Sequence, residues 1–513
     1  MYLSCNTHFS LLYCTLAPKE LFLEAKKNKV RKLALTDINN TSAFIEMVRI
    51  CKENEDDFGL EIVPGIEFRK DGKFVYSTIA MNNDGFEEIN HFLSKHNLDG
   101  SSLPDSPPPF LNAFTVFPFH PRLTRNLEEQ EYIGIRIQDV PFLSNLNRDH
   151  PIGKMVIWQP VTFKDEKGHN VHRLLRAIDL NTLLSKLPET AQAPNSEIML
   201  SEPDLLRYYW QYPDIISNTK MILEHCSVNL DLGTPKNKQS FAGNQEKDHY
   251  ILRSKALEGF QSRYQEYDSY AMSRLLKELE VIADRKFEAY FLIALDIIEF
   301  SQRRGFAHVG RGSGANSMVA YCLGITDVDP IELDLYFERF LNPYRSSPPD
   351  FDIDFSWKDR DEVTSYILNK YPGHSALLAT YTTFQGRSII RELGKVFGLP
   401  KSEIDEIIDH PLQNKDRDKI TRLIFSYADR LHDMPRNLSI HAGGIVISEK
   451  PITAYTALEL PPKGFPITQF DMISAEDLGL HKFDILSQRG LGHIKDSVEI
   501  IARNKGVEAD ISD

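Results

Sequence analysis

The segment Pro349-Asp350-Phe351-Asp352-Ile353-Asp354-Phe355 constrains this chain more than any other, because acidic and large apolar residues alternate through it without a break. On an extended strand successive side chains leave opposite faces. Phe351, Ile353 and Phe355 are therefore expected to enter a core while Asp350, Asp352 and Asp354 line the other side. Acids two apart on one face lie roughly 6 to 7 Å from each other, and at an effective dielectric of about 20 each ionised pair repels by about 2 to 3 kcal/mol. A divalent cation with oxygen ligands, a cluster of Arg or Lys, or bulk water can offset that repulsion. The apolar face argues for a strand held firmly in a sheet and favours the metal; the alternation alone does not decide which acids would ligate it.

A chain of 513 residues with 42% hydrophobic content is expected to be soluble and globular, with length for two to four domains. Cys5, Cys14, Cys51, Cys226 and Cys322 form no C-x-x-C pair, which argues against a zinc ribbon or a disulfide framework and for reduced thiols in the cytoplasm. The mildly apolar stretch Leu3 to Ala17 reads as a first strand and turn, since no Lys or Arg precedes it and Asn6, Thr7 and His8 interrupt it. No apolar run approaches the roughly 18 to 20 residues of a membrane span. The net charge of −14 argues against indiscriminate DNA binding and leaves room for a local basic cleft.

Lys32 to Asp37 and Glu61 to Phe68 read as strands around an amphipathic helix at Ser42 to Asn54, an α/β unit. Leu103 to Phe110 is Pro-rich and reads as a loop. Asp231 to Asp248 has Gly, Pro, Asn and Lys with almost no apolar periodicity, and a domain boundary is placed there. Helical spacing resumes from Asp248 to Tyr290 and runs into the strongly apolar Phe291 to Ser301, then again over Ser388 to Phe397, Lys401 to Ile408 and Ile420 to Leu431.

His308-Val309-Gly310-Arg311-Gly312-Ser313-Gly314-Ala315-Asn316-Ser317 precedes the apolar run Met318 to Leu323. Alternate glycines admit close backbone approach, and a helix starting after them offers N–H groups to an anion, with Arg311, Ser313 and Ser317 as further donors. A turn capping a buried helix explains the same pattern equally well. In Leu480 to Leu486, Lys482 and Asp484 share a strand face and by themselves read as an ordinary salt bridge. His441, ahead of Gly443-Gly444, offers a phosphate donor or a structural histidine. Together these residues describe a metal site beside a phosphate cradle, the equipment of an in-line phosphoryl displacement.

The run from Gly310-Arg311-Gly312-Ser313-Gly314 through Ala320-Tyr321, Ile325-Thr326-Asp327-Val328-Asp329-Pro330 and Phe337-Glu338-Arg339-Phe340-Leu341-Asn342-Pro343 to Pro349-Asp350-Phe351-Asp352 resembles the palm of the C-family bacterial replicative polymerases, the DNA polymerase III alpha subunits. Asn437 with His441-Ala442-Gly443-Gly444, Thr468-Gln469-Phe470-Asp471 and Lys482-Phe483-Asp484 extend the resemblance in the family's order. It implies an α/β and α+β multidomain chain: a PHP-like α/β barrel domain over 1–227, a polymerase-beta-type nucleotidyltransferase palm over 228–380 and 435–490, and a helical thumb over 381–434. Asp350, Asp352 and Asp484 would be the catalytic triad for two Mg²⁺ ions, with Asp354 supporting. Gly310, Arg311, Gly312, Ser313, Gly314, Ser317, Lys482 and His441 would face the nucleotide triphosphate. Arg387, Arg391, Lys395 and Lys401 would face the primer-template backbone, although without the resemblance a solvated helix face explains them. The implied partners are primer-template DNA and dNTPs, and in a full-length protein the sliding clamp and other replisome subunits.

Family members continue into fingers, a clamp-binding segment and an OB-fold, so 491–513 reads as the start of a truncated fingers region. A catalytically inactive scaffold is the alternative reading. The family's PHP region carries many metal ligands. Here the usual His-Ser signature reads Asn6-Thr7 with His8 displaced, Asp37 and Glu67 match, and Val75 stands where a His is expected. Two acids and a stray imidazole make a poor transition-metal set, so no stoichiometric transition metal is expected there and a PHP-type phosphoesterase is the weaker reading.

Overall fold

The computed structural model describes residues 1–120, 126–144, 152–264, 266, 268–341, 351–414 and 417–507. Two mixed seven-stranded sheets organise them. The first takes its strands in chain order: β1 (Tyr2–Cys5), β2 (Lys32–Leu35), β3 (Glu61–Lys70), β4 (Lys73–Ala80), β5 (Ala113–Pro118), β6 (Glu131–Ile135) and β7 (Met155–Ile157). β1, β2 and β3 run parallel, β4 is antiparallel to both neighbours, and β5, β6 and β7 run parallel. The sheet curls until the chain just past β7 reaches β1, where Val161 N donates to Ser4 O and Asn6 N donates to Val161 O, both at 3.0 Å. The N-terminal α/β unit foreseen in the sequence is this curled sheet with its helices.

The second sheet is built from β8 (His308–Arg311), β9 (Asp352–Ser356), β10 (Ser375–Thr383), β11 (Pro435–Ile447), β12 (Leu458–Glu459), β13 (Ile467–Asp471) and β14 (Lys482–Gln488), in the order β12-β13-β10-β11-β14-β9-β8. At β10 both faces are covered. In β10, Leu377 and Ala379 enter a core with Phe351, Ile353 and the helix Glu288–Arg303, whereas Ala376 and Leu378 enter the core of the N-terminal unit. That is why Ala376 to Ala379 reads as a continuous apolar run rather than an alternating one. A buried polar clasp joins the two units: Thr41 N donates to Gln469 Oε1 at 2.9 Å, Gln469 Nε2 donates to Asn39 O at 2.9 Å, and Tyr381 Oη donates to Gln469 O at 2.7 Å.

Between β10 and β11 the chain leaves the sheet to form the helices Gly386–Phe397, Lys401–Asp409 and Lys419–Leu431, which agree with the helical spacing of the sequence. The neck closes through Phe384 N to Met434 O at 2.9 Å and Asp433 N to Phe384 O at 3.0 Å. Ile389, Leu393 and Ile424 pack against Val171, Leu174 and Leu175 of the helix Glu166–Asp179, so the insert leans on the N-terminal unit. The stretch from Asp231, read as a boundary, is pinned to the second sheet: Lys236 N donates to Gly479 O, Lys238 N to Ile447 O, and Asn237 exchanges two hydrogen bonds with His481. Hydrogen bonds from backbone and from the Asn237 side chain hold it more than apolar burial does, hence its missing periodicity. The continuous helical pattern read from Asp248 onwards resolves into three helices, Gln245–Arg263, Ser269–Asp284 and Glu288–Arg303. Among the described residues no helix is long and apolar enough to cross a membrane.

His172 carries a pH dependence. It is fully buried, its Nδ1 lies 2.6 Å from Tyr13 O, and its Nε2 lies 2.8 Å from Ala193 N. The first contact requires a proton on Nδ1 and the second a lone pair on Nε2, so the ring fits only as neutral imidazole, and burial pushes its pKa down to about 3. A depressed pKa contributes stability above the unfolded value of about 6.5 that is lost as pH falls towards the folded one. Urea unfolding should therefore show His172 costing about 3 kcal/mol between pH 7 and pH 4. His172→Gln should flatten the curve over that window, and identical pH dependences in the two proteins would refute the assignment.

Candidate active site

Register brings together residues far apart in sequence. Arg311 of β8 lies opposite Asp352 of β9, Asp352 lies alongside Asp484 of β14, and Asp484 lies opposite Gly444 of β11. The row is fixed from behind, because Phe351, Ile353, Phe355, Phe483 and Ile485 are all buried and a one-residue slip would turn them to the open face. Asp350 lies outside the described residues, as do Asn342, Pro343 and Pro349 of the same motifs.

Basic side chains already lie against these acids. Arg311 forks across two of them, Nε to Asp354 Oδ2 at 2.8 Å and Nη1 to Asp352 Oδ2 at 3.1 Å, and these bonds raise its pKa above the ordinary guanidinium value. Lys482 pairs with Asp484, and Gln488 Nε2 donates to Asp354 Oδ2 at 3.1 Å. Asp354 is thus a holder of Arg311. One oxygen stays orphaned on each of two buried carboxylates, Asp354 Oδ1 and Asp484 Oδ1. A buried acceptor without a donor is costly, and a hard cation is what an all-oxygen set of Asp352 and Asp484 would satisfy. The residues present fit Mg²⁺ better than a softer transition metal. Among the described residues, however, no three His, Cys, Asp or Glu side chains are grouped as a metal cage.

The glycine loop is a turn leading into a buried helix, one of its two readings. The segment is β8, a tight turn over Gly312–Asn316 and the short helix Met318–Cys322. A Cβ on Gly310 would sit 2.0 Å from Ile325 O, and one on Gly314 would sit 3.2 Å from the Phe351 ring, so both glycines answer the protein's own packing. Gly312, at φ +72°, is the one facing the acids: its Cβ would fall 2.8 Å from Asp352 Oδ2. Ser317 is corrected. Its side chain is fully buried, and its hydroxyl donates to the buried Glu278 at 3.0 Å, so Ser317 and the helix start serve an internal carboxylate rather than a phosphate.

His441 sits where the β10–β11 register slips, with its Nδ1 accepting from Gly444 N at 2.8 Å and Gly443 N at 3.3 Å. Burial lowers its pKa, so the neutral ring carries its proton on Nε2 and keeps one donor. Arg387, Arg391 and Lys395, on the exposed side of the insert, pair with Asp409, Asp405 and Glu392. Lys401 begins the next helix and is exposed.

In the curled sheet the matched acids have partners. Asp37 accepts from Thr7 N at 2.6 Å, Thr7 Oγ1 at 2.7 Å and Ser10 Oγ at 2.6 Å, while burial still pushes its pKa up to about 6. Glu67 takes Arg69 Nε at 2.6 Å, and the Arg69 guanidinium lies 3.9 Å above the Tyr13 ring. His8 makes no hydrogen bond or ion pair to Asp37 or Glu67 among the described residues, and burial pushes its pKa down to about 4. The Arg69 guanidinium already neutralises Glu67, and two acids with a displaced imidazole do not make a transition-metal set.

Two residues escaped the sequence reading. Arg69 shares a strand face with Glu67, and that spacing was the available signal. Glu278 interrupts the apolar stripe Leu275, Leu279, Ile282, an acid where the helix period demands a core residue.

Comparison with known proteins follows the same division. The PHP domain profile matches residues 3–132, and the profile described as "Bacterial DNA polymerase III alpha NTPase domain" matches residues 250–487. The chain is 30% identical to DNA polymerase III subunit alpha of Bacillus subtilis, over 100% of this chain and 50% of that protein. It is 29% identical to the error-prone DNA polymerase of Symbiobacterium thermophilum, over 98% and 52%. Over 68% of this chain and 33% of the relative, it is 33% identical to the Escherichia coli DNA polymerase III subunit alpha. The chain spans about half the length of the first two relatives.

Proposed function

Because this chain belongs to the family of bacterial DNA polymerase III alpha subunits and aligns with their N-terminal half, we propose that it carries the catalytic centre of a DNA polymerase that transfers dNMP from a dNTP to a primer 3′-hydroxyl. The observation that carries this reading is the row Arg311, Asp352, Asp484, assembled from three strands. In it residues 1–227 are the PHP-like domain, 228–380 and 435–490 the palm, 381–434 the thumb, and 491–513 the start of the fingers region. Asp352 and Asp484, with Asp350 from the sequence, would hold two Mg²⁺ ions. When bound, these supply Lewis-acid activation of the attacking hydroxyl and stabilise the leaving pyrophosphate. Arg311, Lys482, Ser313 and the Gly310–Gly314 backbone take the triphosphate, and His441 donates from Nε2. Arg311 and Lys482 already lie against the carboxylates, so each can pass from an acid to a phosphate without a large rearrangement.

Arg387, Arg391, Lys395 and Lys401 face the primer-template backbone. The present ion pairs of Arg387 and Arg391 are exposed, and such pairs contribute little, so exchange for phosphate costs little. In a full-length protein the same reading implies the sliding clamp and other replisome subunits as further partners. The pairing of Asp37 and Glu67 speaks against a phosphoesterase in the curled sheet.

Primer extension in Mg²⁺, run on the chain alone and with a separately supplied C-terminal half of a relative, tests the proposal. Extension that requires the added half is expected. No extension in either arm would overturn the catalytic reading in favour of a scaffold.

A further inference from the structure

Glu278 has no accessible surface, on a helix whose Leu275, Leu279 and Ile282 fill the core. A carboxylate is costly in such a place unless every lone pair is used. All its long-range partners lie in one segment. Oε2 accepts from Ser317 Oγ at 3.0 Å and from Val319 N at 3.1 Å, and Oε1 accepts from Arg274 Nε at 3.0 Å. Arg274, one turn earlier, donates from Nη2 to Asn316 O at 2.8 Å, and Asn316 Nδ2 donates to Ser313 O at 2.8 Å. Residues 313, 316, 317 and 319 are thereby tied to one helix from behind, while Gly312 lies against Asp352 in front.

A network of this kind adds little stability over an apolar pair of similar volume. What it adds is a single conformation, since each bond is directional and the donors match only one loop position. We propose that Glu278, together with Arg274, is a positioning residue that sets the glycine loop at a fixed distance from the Asp352–Asp484 row, so that triphosphate and carboxylates are addressed together. Neither side chain touches the row or the substrate; both act through the loop backbone. The inference rests on the polymerase reading and goes beyond it in naming what holds the loop.

The double substitution Arg274→Leu with Glu278→Leu separates positioning from folding, because it removes the network and keeps the buried volume. Three readouts are needed on the full chain: urea unfolding, Mn²⁺ binding without nucleotide, and affinity for dATP in Mg²⁺. The expected result is near-native stability, unchanged Mn²⁺ binding and dATP affinity reduced about 10-fold or more, since small misplacements of binding groups are costly. If the double variant does not fold, Ser317→Ala breaks one bond of the network and should weaken dATP binding by about fivefold, the worth of a single hydrogen bond. Unchanged dATP affinity in a folded variant overturns the inference, as does loss of Mn²⁺ binding alongside that of dATP, which would mark collapse of the row itself. If the unaltered chain binds no dATP, the polymerase reading falls and this inference with it.

Discussion

Asp484→Asn is expected to abolish primer extension, reducing it about 1000-fold or more under conditions where the unaltered chain, with or without the added C-terminal half, is active. The magnitude follows from removing one anionic oxygen ligand from a charge-stabilising metal site, an interaction worth several kcal/mol, at about 1.4 kcal/mol per tenfold. The fold should survive. Asparagine has the same shape, the orphaned Oδ1 of a carboxylate with 8% exposure loses its charge, and Lys482 keeps an amide oxygen to donate to. Thermal unfolding should move little in either direction. Extension at the unaltered rate in a folded Asp484→Asn protein would remove Asp484 from the triad, and with it the proposal that this row is the catalytic one.

Arg69→Ala is expected to cost about 3 to 5 kcal/mol, the usual penalty for taking one partner from a buried ion pair. Glu67 is 2% exposed and Glu197, 3% exposed, also feels the guanidinium, so two carboxylates lose positive charge that water cannot replace. Urea unfolding of Arg69→Ala and of Arg69→Lys would measure it, with Lys recovering part of the loss because it keeps the charge and forfeits the stacking over Tyr13. Elemental analysis of the unaltered protein should find no stoichiometric zinc or manganese, since Arg69, Thr7 and Ser10 already occupy the oxygens with which Glu67 and Asp37 would hold a cation. One tightly held transition-metal ion per chain, lost on substituting Asp37 or Glu67, would show that the guanidinium does not stand in for a cation.

The strand Asp352–Ser356 and the division of its faces were legible because alternation is local: two residues per repeat suffice to place Ile353 inward and Asp354 outward. The neighbours of that strand were not legible from pattern alone. Nothing in Lys482 to Leu486 says that Asp484 comes to rest beside Asp352 rather than at any other register, and only the family resemblance joined them. The source of the basic counter-charge was not legible for a related reason. Alternation reports which side an acid takes, not that Arg311, 41 and 43 residues earlier on a different strand, forks across two of them. The glycines left a ligand cradle and a helix-capping turn equally open, because Gly310 and Gly314 make room for Ile325 and Phe351, contacts that exist only after folding. Glu278 was visible as an acid in an apolar stripe, but without its distant partners such a residue looks like a flaw in the pattern.

The second sheet's β10 sends Leu377 one way and Leu378 the other, so adjacent residues belong to different cores. A strand of this kind is a party wall: neither room can be pulled down without leaving the other open to the weather. Ala376, Leu378, Val446 and Phe470 would face water if the N-terminal unit were absent. That unit is bound to the row of acids as masonry: Val446, in its core, shares a sheet face with Lys482, Asp484 and Asp352, so a mutation deep in that core reaches the acids sideways along the face.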